Sequence, residues 1–557
     1  MGLNNFSLAE EGEGEIRSLA KWAAAHYKRT SKPLRIAVDE GNWWFRNVTE
    51  EEDARIKIQS PGSHMKERNI MDRLFTLLRL NIQVIFVLDG PNKPKKLDRK
   101  TPGAVKKTDY SNERVKILTD LLRYLGVPYH KAPGEAEAEC ARLQQLVLVD
   151  AVWTDDSDAM MFGATTIVQF YKAPGKKSNS DSEVLTYTVD RLKLSRNDLL
   201  MWAILVGCDY TDGLDRFAKQ SFKAIHRHHA FTGVADQLKK VADASDEEFN
   251  RQSSKWRAML TQLVRTVSGM QNFQVPDRTF PSKQLLKACA HPTVSPDHEI
   301  MKWSSNMQAR YTLFFRNFYS RKHEIWVAQA LVPIELNALL RAVEKDTDKQ
   351  LVKEIVQSMV IKERKGVTTT ITVNPLAVIP ELESQFPQNL MRGTGERIMA
   401  PAFSPMDVEI LDCVLQYGLP GDVYHEMVDS ARKKNETKHE RKTKTLLKGG
   451  NQDSIPKRGR GRPRKDAGQN DNPRQAARRG LQTTEMSWSS ENAADHGGKW
   501  PRRRDWAAGK LCPEVARIKH RNKGSTRSGT EGQNNGCKSF GQSTSPIQDP
   551  GAPSRLG

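Results

Sequence analysis

Three short apolar runs constrain this chain more than any other feature. "LRIAVD" (Leu34 to Asp39), "QVIFVLDG" (Gln83 to Gly90) and "DAVWTDD" (Asp150 to Asp156) each read as a buried strand, and an aspartate closes each one. A fourth run, "TTIVQFY" from Thr165, also reads as a strand. Helical patterns lie between and after them: Arg68 to Asn81, "NERVKILTDLLRYLG" from Asn112, and "RNDLLMWAILVGCDY" from Arg196. Strands that alternate with helices predict an α/β domain with a mostly parallel sheet and flanking helices. Glu15 to Thr30 is expected to be one further helix, from Ile16, Leu19, Ala20 and Ala23. From Phe217 to Arg265 the periods are helical, and "TTTITVNPLAVI" (Thr368 to Ile379) is the best strand candidate beyond them.

A parallel sheet gathers its ligands at the carboxyl ends of its strands. Asp39 and Asp89 close the first two strands, and Asp156 and Asp158 follow the third. "KAPGEAEAECARL" (Lys131 to Leu143) adds glutamates at every second position, Glu135, Glu137 and Glu139, where Pro133 and Gly134 signal a helix start. Within a helix, residues two apart diverge. At its first turn, before the period is established, Glu135 and Glu137 can converge on one point, and the dipole there tolerates negative charge. Glu139 is expected to face solvent or to meet a structural partner. Asp209 ends a helix, in "VGCDYTDG". Any one of these acids alone reads as a turn or cap residue. Seven at such termini repel one another and need protons or cations, and hard divalent ions with all-oxygen ligands, Mg²⁺ or Mn²⁺, suit the set.

The charge is unevenly spread. The chain has 557 residues and a net charge of +20, yet Ala431 to Gly557 holds 29 Lys and Arg against 12 Asp and Glu. That segment is rich in Gly, Ser, Asn and Gln and lacks a long apolar period, so a disordered tail is expected. Its cations suit an anionic polymer, nucleic acid above all, or serve solubility. The six cysteines form no C-x-x-C pair, which argues against a zinc finger or a disulfide framework. His226, His228 and His229 lack a matching ligand pair and are expected on a polar or DNA-facing helix surface. No apolar run is long enough for a membrane span and no leader is evident, so a soluble intracellular protein is expected.

"IAVDEGNWWF", "FVLDGPNKP", "APGEAEAECARLQ", "TDDSDAMMFG" and "GCDYTDG" stand in the order and spacing of the XPG/flap-endonuclease family, which this chain resembles closely from Leu34 to Ala230. "VSPDHEIMKW" and "FSPMDVEILDCVLQYGLP" look like its fungal Holliday-junction-resolvase branch. The resemblance implies an XPG/PIN-like nuclease core over residues 1–210 and a helical DNA-binding region over 211–345, with a degenerate helix-two-turn-helix. A small mixed α/β accessory region over 346–430 and the basic tail over 431–557 complete the expected organisation. It implies a metal-dependent, structure-specific DNA endonuclease with two Mg²⁺ or Mn²⁺ ions per site. Asp39, Asp89, Glu135 and Glu137 would hold one ion, and Asp156, Asp158 and Asp209 the other, Glu137 or Asp156 helping to bridge. Two ions about 4 Å apart would generate hydroxide from water and stabilise charge on the scissile phosphate.

Lys93, Lys95, Lys96, Arg99 and Lys100, after Asp89, are placed to hold phosphates, although Leu97 and Asp98 interrupt the Lys-Arg run that the family shows slightly later. The hairpin after Asp209 departs from the family's glycine-rich pattern: Asp215, Arg216, Phe217 and Ala218 stand where small residues are expected. In the tail, "KRGRGRPRKD" (Lys457 to Asp466) resembles an AT-hook. Arg460, Arg462 and Arg464 would lie along an A·T minor groove, with Gly461 allowing close approach and Pro463 setting the backbone. The same run also reads as a nuclear import signal. The expected partner is branched double-stranded DNA in the nucleus, bound by a protein that is a monomer in solution and a dimer on a four-way junction. A 5′-flap endonuclease and a non-catalytic DNA or chromatin scaffold are the alternatives.

Overall fold

The computed structural model describes residues 2–45, 48–59, 65–94, 96–97, 112–124, 126–176, 178–215, 217–268, 272–275, 279–303, 324–342, 355–357, 359–380, 382–385, 389–391, 397–399 and 404–448. Lys95, Arg99, Lys100, Arg216, the AT-hook-like run and the rest of the tail beyond Lys448 lie outside them.

A seven-stranded sheet organises the first half. In chain order its strands are β1 (Glu15–Ser18), β2 (Arg35–Asp39), β3 (Gln83–Leu88), β4 (Tyr129–Lys131), β5 (Ala151–Trp153), β6 (Thr166–Phe170) and β7 (Glu183–Thr188), arranged β1-β7-β6-β5-β2-β3-β4. The run from β6 to β4 is parallel, while β7 and β1 add an antiparallel margin. The expected α/β class is therefore present. Both faces are covered, which explains the unbroken apolar runs. Val84 and Phe86 of β3 enter one core with Ile36, Val38 and Trp153, whereas Ile85 and Val87 enter the other with Ala37, Val152 and Ile167. This alternation is the two-residue period of a strand.

The chain moves outward from β2 through β3 to β4, then returns to the other side of β2 for β5 and β6. The strand order thus reverses between β2 and β5, and a crevice opens there at the strands' carboxyl ends. Helix α1 (Leu19–Thr30) covers one face, and α2 (Ala136–Gln145) and α3 (Arg196–Leu205) cover the other. The helix expected over Glu15 to Thr30 begins only at Leu19: Glu15 to Ser18 pair with β7, and the Ser18 hydroxyl caps α1 by accepting from Lys21 N. Long-range pairing overrides a four-residue helical signal.

Helices α4 (Lys219–His226), α5 (Phe231–Ala242), α6 (Phe249–Ser268) and α7 (Lys283–Ala290) share the core of α2 and α3. Helix α8 (Glu324–Ala342), expected with these helices, shares the other core with three antiparallel strands, β8 (Val360–Lys365), β9 (Thr368–Val373) and β12 (Met406–Leu411). Strands β10 (Asn389–Met391) and β11 (Arg397–Met399) pair separately. Asn337 of α8 donates to the Arg79 carbonyl at 2.9 Å, satisfying the end of the helix Met65–Arg79. Helices α9 (Asp412–Gly418) and α10 (Gly421–Lys448) follow β12. Because α10 runs through residue 430, the boundary expected there is displaced. Tyr424 and Ala431 are buried, and Met427 and Val428 pack beside them, an apolar stripe short enough to be hidden in a basic sequence. Among the described residues no helix is long and apolar enough to cross a membrane.

Candidate active site

Six of the seven acids reach the crevice from the β-strands' carboxyl ends or the turns that follow them. Asp39 is the last residue of β2 and Asp89 follows β3. After β4 the chain turns at Ala132 to Gly134, so Glu135 becomes the cap residue of α2, with extended backbone, and Glu137 lies in its first turn. Asp156 and Asp158 follow β5. Asp209 comes from a turn beyond α3, held by the Cys208–Thr211 bridge.

Hydrogen bonds stitch these pieces together. Thr154 donates to Asp39 Oδ2 at 2.9 Å across the crevice, joining β2 to the end of β5. Ala136 N donates to Asp89 Oδ1 at 2.9 Å, and Gly90 N to the Gly134 carbonyl at 2.7 Å, which fixes the α2 start against β3. A Cβ on Gly90 would stand 1.9 Å from the Ala132 carbonyl, so only glycine permits this approach. Asp158 N donates to Asp156 Oδ1 at 3.1 Å. The Gly2 backbone N donates to Asp209 Oδ1 at 3.2 Å, and Tyr210 donates its hydroxyl to Glu135.

Lys96 carries much of the countercharge. Its ammonium stands 3.2 Å from Glu135 Oε1, 3.2 Å from Asp209 Oδ2 and 4.0 Å from Glu137 Oε1, and Lys93 lies 3.2 Å from Asp89 Oδ2. Burial opposes charge on Lys96, but Glu137, Glu135, Asp156 and Asp209 overcome it and hold the ammonium well above its ordinary pKa. Two of the five loop cations expected to grip phosphate thus point into the acid cluster.

The cluster remains overcharged. Burial, then Asp89, raises Asp39 to about 7. Burial pushes Glu137 and Asp158 well up, with Asp39 and Asp156 respectively as repelling neighbours, and it also raises Glu135 and Asp156. Asp158 is 2% exposed, and both its carboxylate oxygens are buried without a hydrogen-bond partner. Two such oxygens need a proton or a cation. Among the described residues, no three Asp, Glu, His or Cys side chains are drawn together as the ligands of one ion would be. The ammonium among Glu135, Glu137 and Asp209 provides a neutralising charge there instead.

Glu139, left between solvent and a structural partner by its sequence, is buried against His130 and Ser295. The altered hairpin after Asp209 also has a packing reason: Phe217 turns into the core, its ring 6.4 Å from that of Phe273. His226, the last residue of α4, contacts Asp198 at 3.4 Å, whereas His228 and His229, expected on a helix surface, lie in the turn that follows, their rings 4.2 Å apart and tilted. The contribution of Thr154 had no distinct sequence signal, because a threonine after a strand is commonplace.

A mostly parallel sheet with acids gathered at its reversal point defines an α/β protein with a carboxylate-lined crevice. Residues 126–209 match the XPG I-region. Among the chain's relatives, the DNA repair protein rad13 of Schizosaccharomyces pombe is 31% identical over 199 residues, 34% of this chain and 16% of that protein. A probable flap endonuclease 1 homolog of Danio rerio is 31% identical over 180 residues, 30% of this chain and 50% of that protein. The human flap endonuclease GEN homolog 1 is 32% identical over 190 residues, 31% of this chain and 20% of that protein. The match therefore spans half or less of each of these relatives. Among solved structures, a eukaryotic junction-resolving enzyme GEN-1 with cesium superposes with a TM-score of 0.56 at 23% identity, covering 78% of this chain and 100% of that one. The Holliday junction-resolving enzyme GEN1 with product DNA and Mg²⁺ gives 0.53 at 22% identity, over 77% and 98%. These likenesses establish the fold.

Proposed function

We propose that this protein is a structure-specific DNA endonuclease that cuts phosphodiester bonds in branched DNA with two divalent ions, and that its preferred substrate is a four-way junction. The observation that carries the reading is the crevice between β2 and β5, where Asp158 keeps two buried oxygens without partners amid six further acids. All the donors are carboxylate oxygens, which fits Mg²⁺ or Mn²⁺. Asp39, Asp89, Glu135 and Glu137 would hold one ion, and Asp156, Asp158 and Asp209 the other. Bound there, the ions would supply an activated water and charge stabilisation at the scissile phosphate.

The chain's own residues supply position. Thr154 holds Asp39 in place, and the Ala136 amide does the same for Asp89. Lys93 and Lys96, beside the acids, would meet a phosphate entering the crevice, and Lys95, Arg99 and Lys100 of the same sequence run would add to that grip. The burial that raises the acids also makes the site's electrostatics strong, because little water screens them. In the tail, Arg460, Gly461, Arg462, Pro463 and Arg464 would bind A·T minor grooves and anchor the protein on nuclear DNA.

The preference for junctions is supported by the interval from Asp89 to Glu135. By its sequence it has room for a basic loop and a short helix, and among its described residues it holds the helix Asn112–Tyr124, which is little for the long arch through which a flap end threads. An entrance of that kind admits a strand without a free end. Cutting a junction into two ligatable duplexes needs two sites, so a protein monomeric in solution would assemble as two copies on one junction. The test compares a junction and a 5′ flap of equal length at equal Mg²⁺ and salt. Paired, ligatable nicks in opposed strands support resolution. Rapid flap cutting with the junction untouched favours the flap-endonuclease alternative, and binding without cutting favours the scaffold.

A further inference from the structure

The helix that carries Glu135 and Glu137 is gripped from behind by a segment more than 150 residues away. Glu139, in the same first turns of α2, is 0% exposed. Its Oε2 accepts from Ser295 N at 2.9 Å, and its Oε1 lies 2.8 Å from His130 Nε2. That same His130 nitrogen lies 3.1 Å from Ser295 Oγ. His130 belongs to β4, before the Ala132–Gly134 turn, and Glu139 to the helix after it. Ser295 therefore ties both arms of the turn from which Glu135 projects.

Two further contacts extend the grip. The Thr293 carbonyl presses on the turn so closely that a Cβ on Gly134 would stand 2.5 Å from it. One helical turn beyond Glu139's neighbours, Arg142 forks onto Asp297, with Nη2 at 2.6 and 2.7 Å from the two carboxylate oxygens. Contacts at residues 134, 139 and 142 fix the helix along its length and about its axis. A merely solvated or locally capped Glu139 would leave that rotation unset.

We propose that Thr293 to Asp297 forms a positioning clamp, through Glu139 and His130, that holds Glu135 and Glu137 at the phase of the helix start where both reach the crevice. The clamp residues touch neither substrate nor ion, and they act through the placement of the two glutamates. The proposal rests on the nuclease reading for its effect on cleavage, but the clamp itself is a statement about the turn. A misplacement of about 1 Å in such a constellation costs on the order of a hundredfold in rate. Loosening the clamp should therefore slow cleavage and weaken ion binding while leaving DNA affinity alone.

The test uses the full chain with Glu139→Gln, His130→Gln and Ser295→Ala, the last removing only a hydroxyl and so the mildest to folding. Single-turnover junction cleavage should fall roughly ten- to a hundredfold for Glu139→Gln and less for Ser295→Ala. Junction affinity in Ca²⁺ should stay within about twofold of wild type and half-saturating Mg²⁺ should rise. Ser295→Thr, which keeps both donors, should restore the rate. Hydrogen exchange at the amides of Ala136 to Cys140 should rise, with α6 unchanged. Unaltered rate, Mg²⁺ dependence and exchange in these variants, with only a lower melting temperature, would overturn the clamp. If the wild-type protein cuts no branched DNA, the nuclease reading fails separately. The exchange experiment then decides the clamp alone: a rise confined to the turn upholds it, and no rise refutes it.

Discussion

At the scale of single residues, Asp158 is the sharpest case. Its two oxygens are buried and without partners, so its charge is tolerable only beside a cation. Asp158→Asn is expected to lower cleavage by about a hundredfold to a thousandfold, by analogy with losing one electrostatic stabiliser of a transition state. DNA binding should hold or tighten, because negative charge beside the phosphate is lost; cleavage at the wild-type rate would remove Asp158 from the ligand set. Asp39 sets a pH dependence. Its pKa in the folded metal-free protein is raised to about 7 from an ordinary value near 3.8, by burial and then by Asp89. A carboxyl raised in this way supports folding at low pH, and that support is lost as pH rises through about 7. The metal-free melting temperature should therefore fall from about pH 4 to about pH 7 and level off above it. Mg²⁺ should bind more tightly at the upper end of that range and release protons as it binds. Calorimetry in buffers of different ionisation enthalpy reads both effects, and pH-independent affinity without proton release would contradict the shift.

At the scale of elements, the sequence was most legible where one face or both faces of an element are buried throughout. The strands beginning at Arg35 and Gln83 and the helix from Arg196 stand where their apolar periods put them. Glu15 to Ser18 and Glu183 to Thr188 were hidden because each is a strand by pairing with sequence-distant or neighbouring strands, the first with β7 and the second with both β6 and β1. The accessory helices show how such elements are held. Helix α9 crosses α8 so closely that a Cβ on Gly418 would meet the Leu340 carbonyl at 2.6 Å and the Leu340 Cβ at 2.7 Å. Gly418→Ala should destabilise this contact by about 1–3 kcal/mol, since packed backbone cannot yield cheaply. Chemical denaturation checks it, and an unchanged midpoint would mean that α8 and α9 separate without cost.

At the scale of the whole molecule, charge is divided between a nearly neutral folded part and a basic end. Because α10 continues to Lys448 and Ala431 is buried, a truncation that spares the fold belongs after Lys448, where 21 Lys and Arg face 10 Asp and Glu. Deleting residues 449–557 should weaken binding to all DNAs alike and flatten the salt dependence, because fewer counterions are released. Binding curves over a salt series would show an unchanged slope if the tail does not touch DNA. Arg462→Ala alone should weaken chiefly A·T-rich binding. What the sequence determined by itself was the α/β class and the identity of the acids. Apolar period and strand-end chemistry are local properties, written within ten or so residues. Only the tertiary structure decided that the reversal of strand order falls between β2 and β5, and that Lys96 stands among Glu135, Glu137 and Asp209. It alone decided that Glu139 closes on Ser295 rather than on water. Those outcomes depend on which distant segments share a desolvated volume, where an unpaired charge is costly, and no local period encodes that.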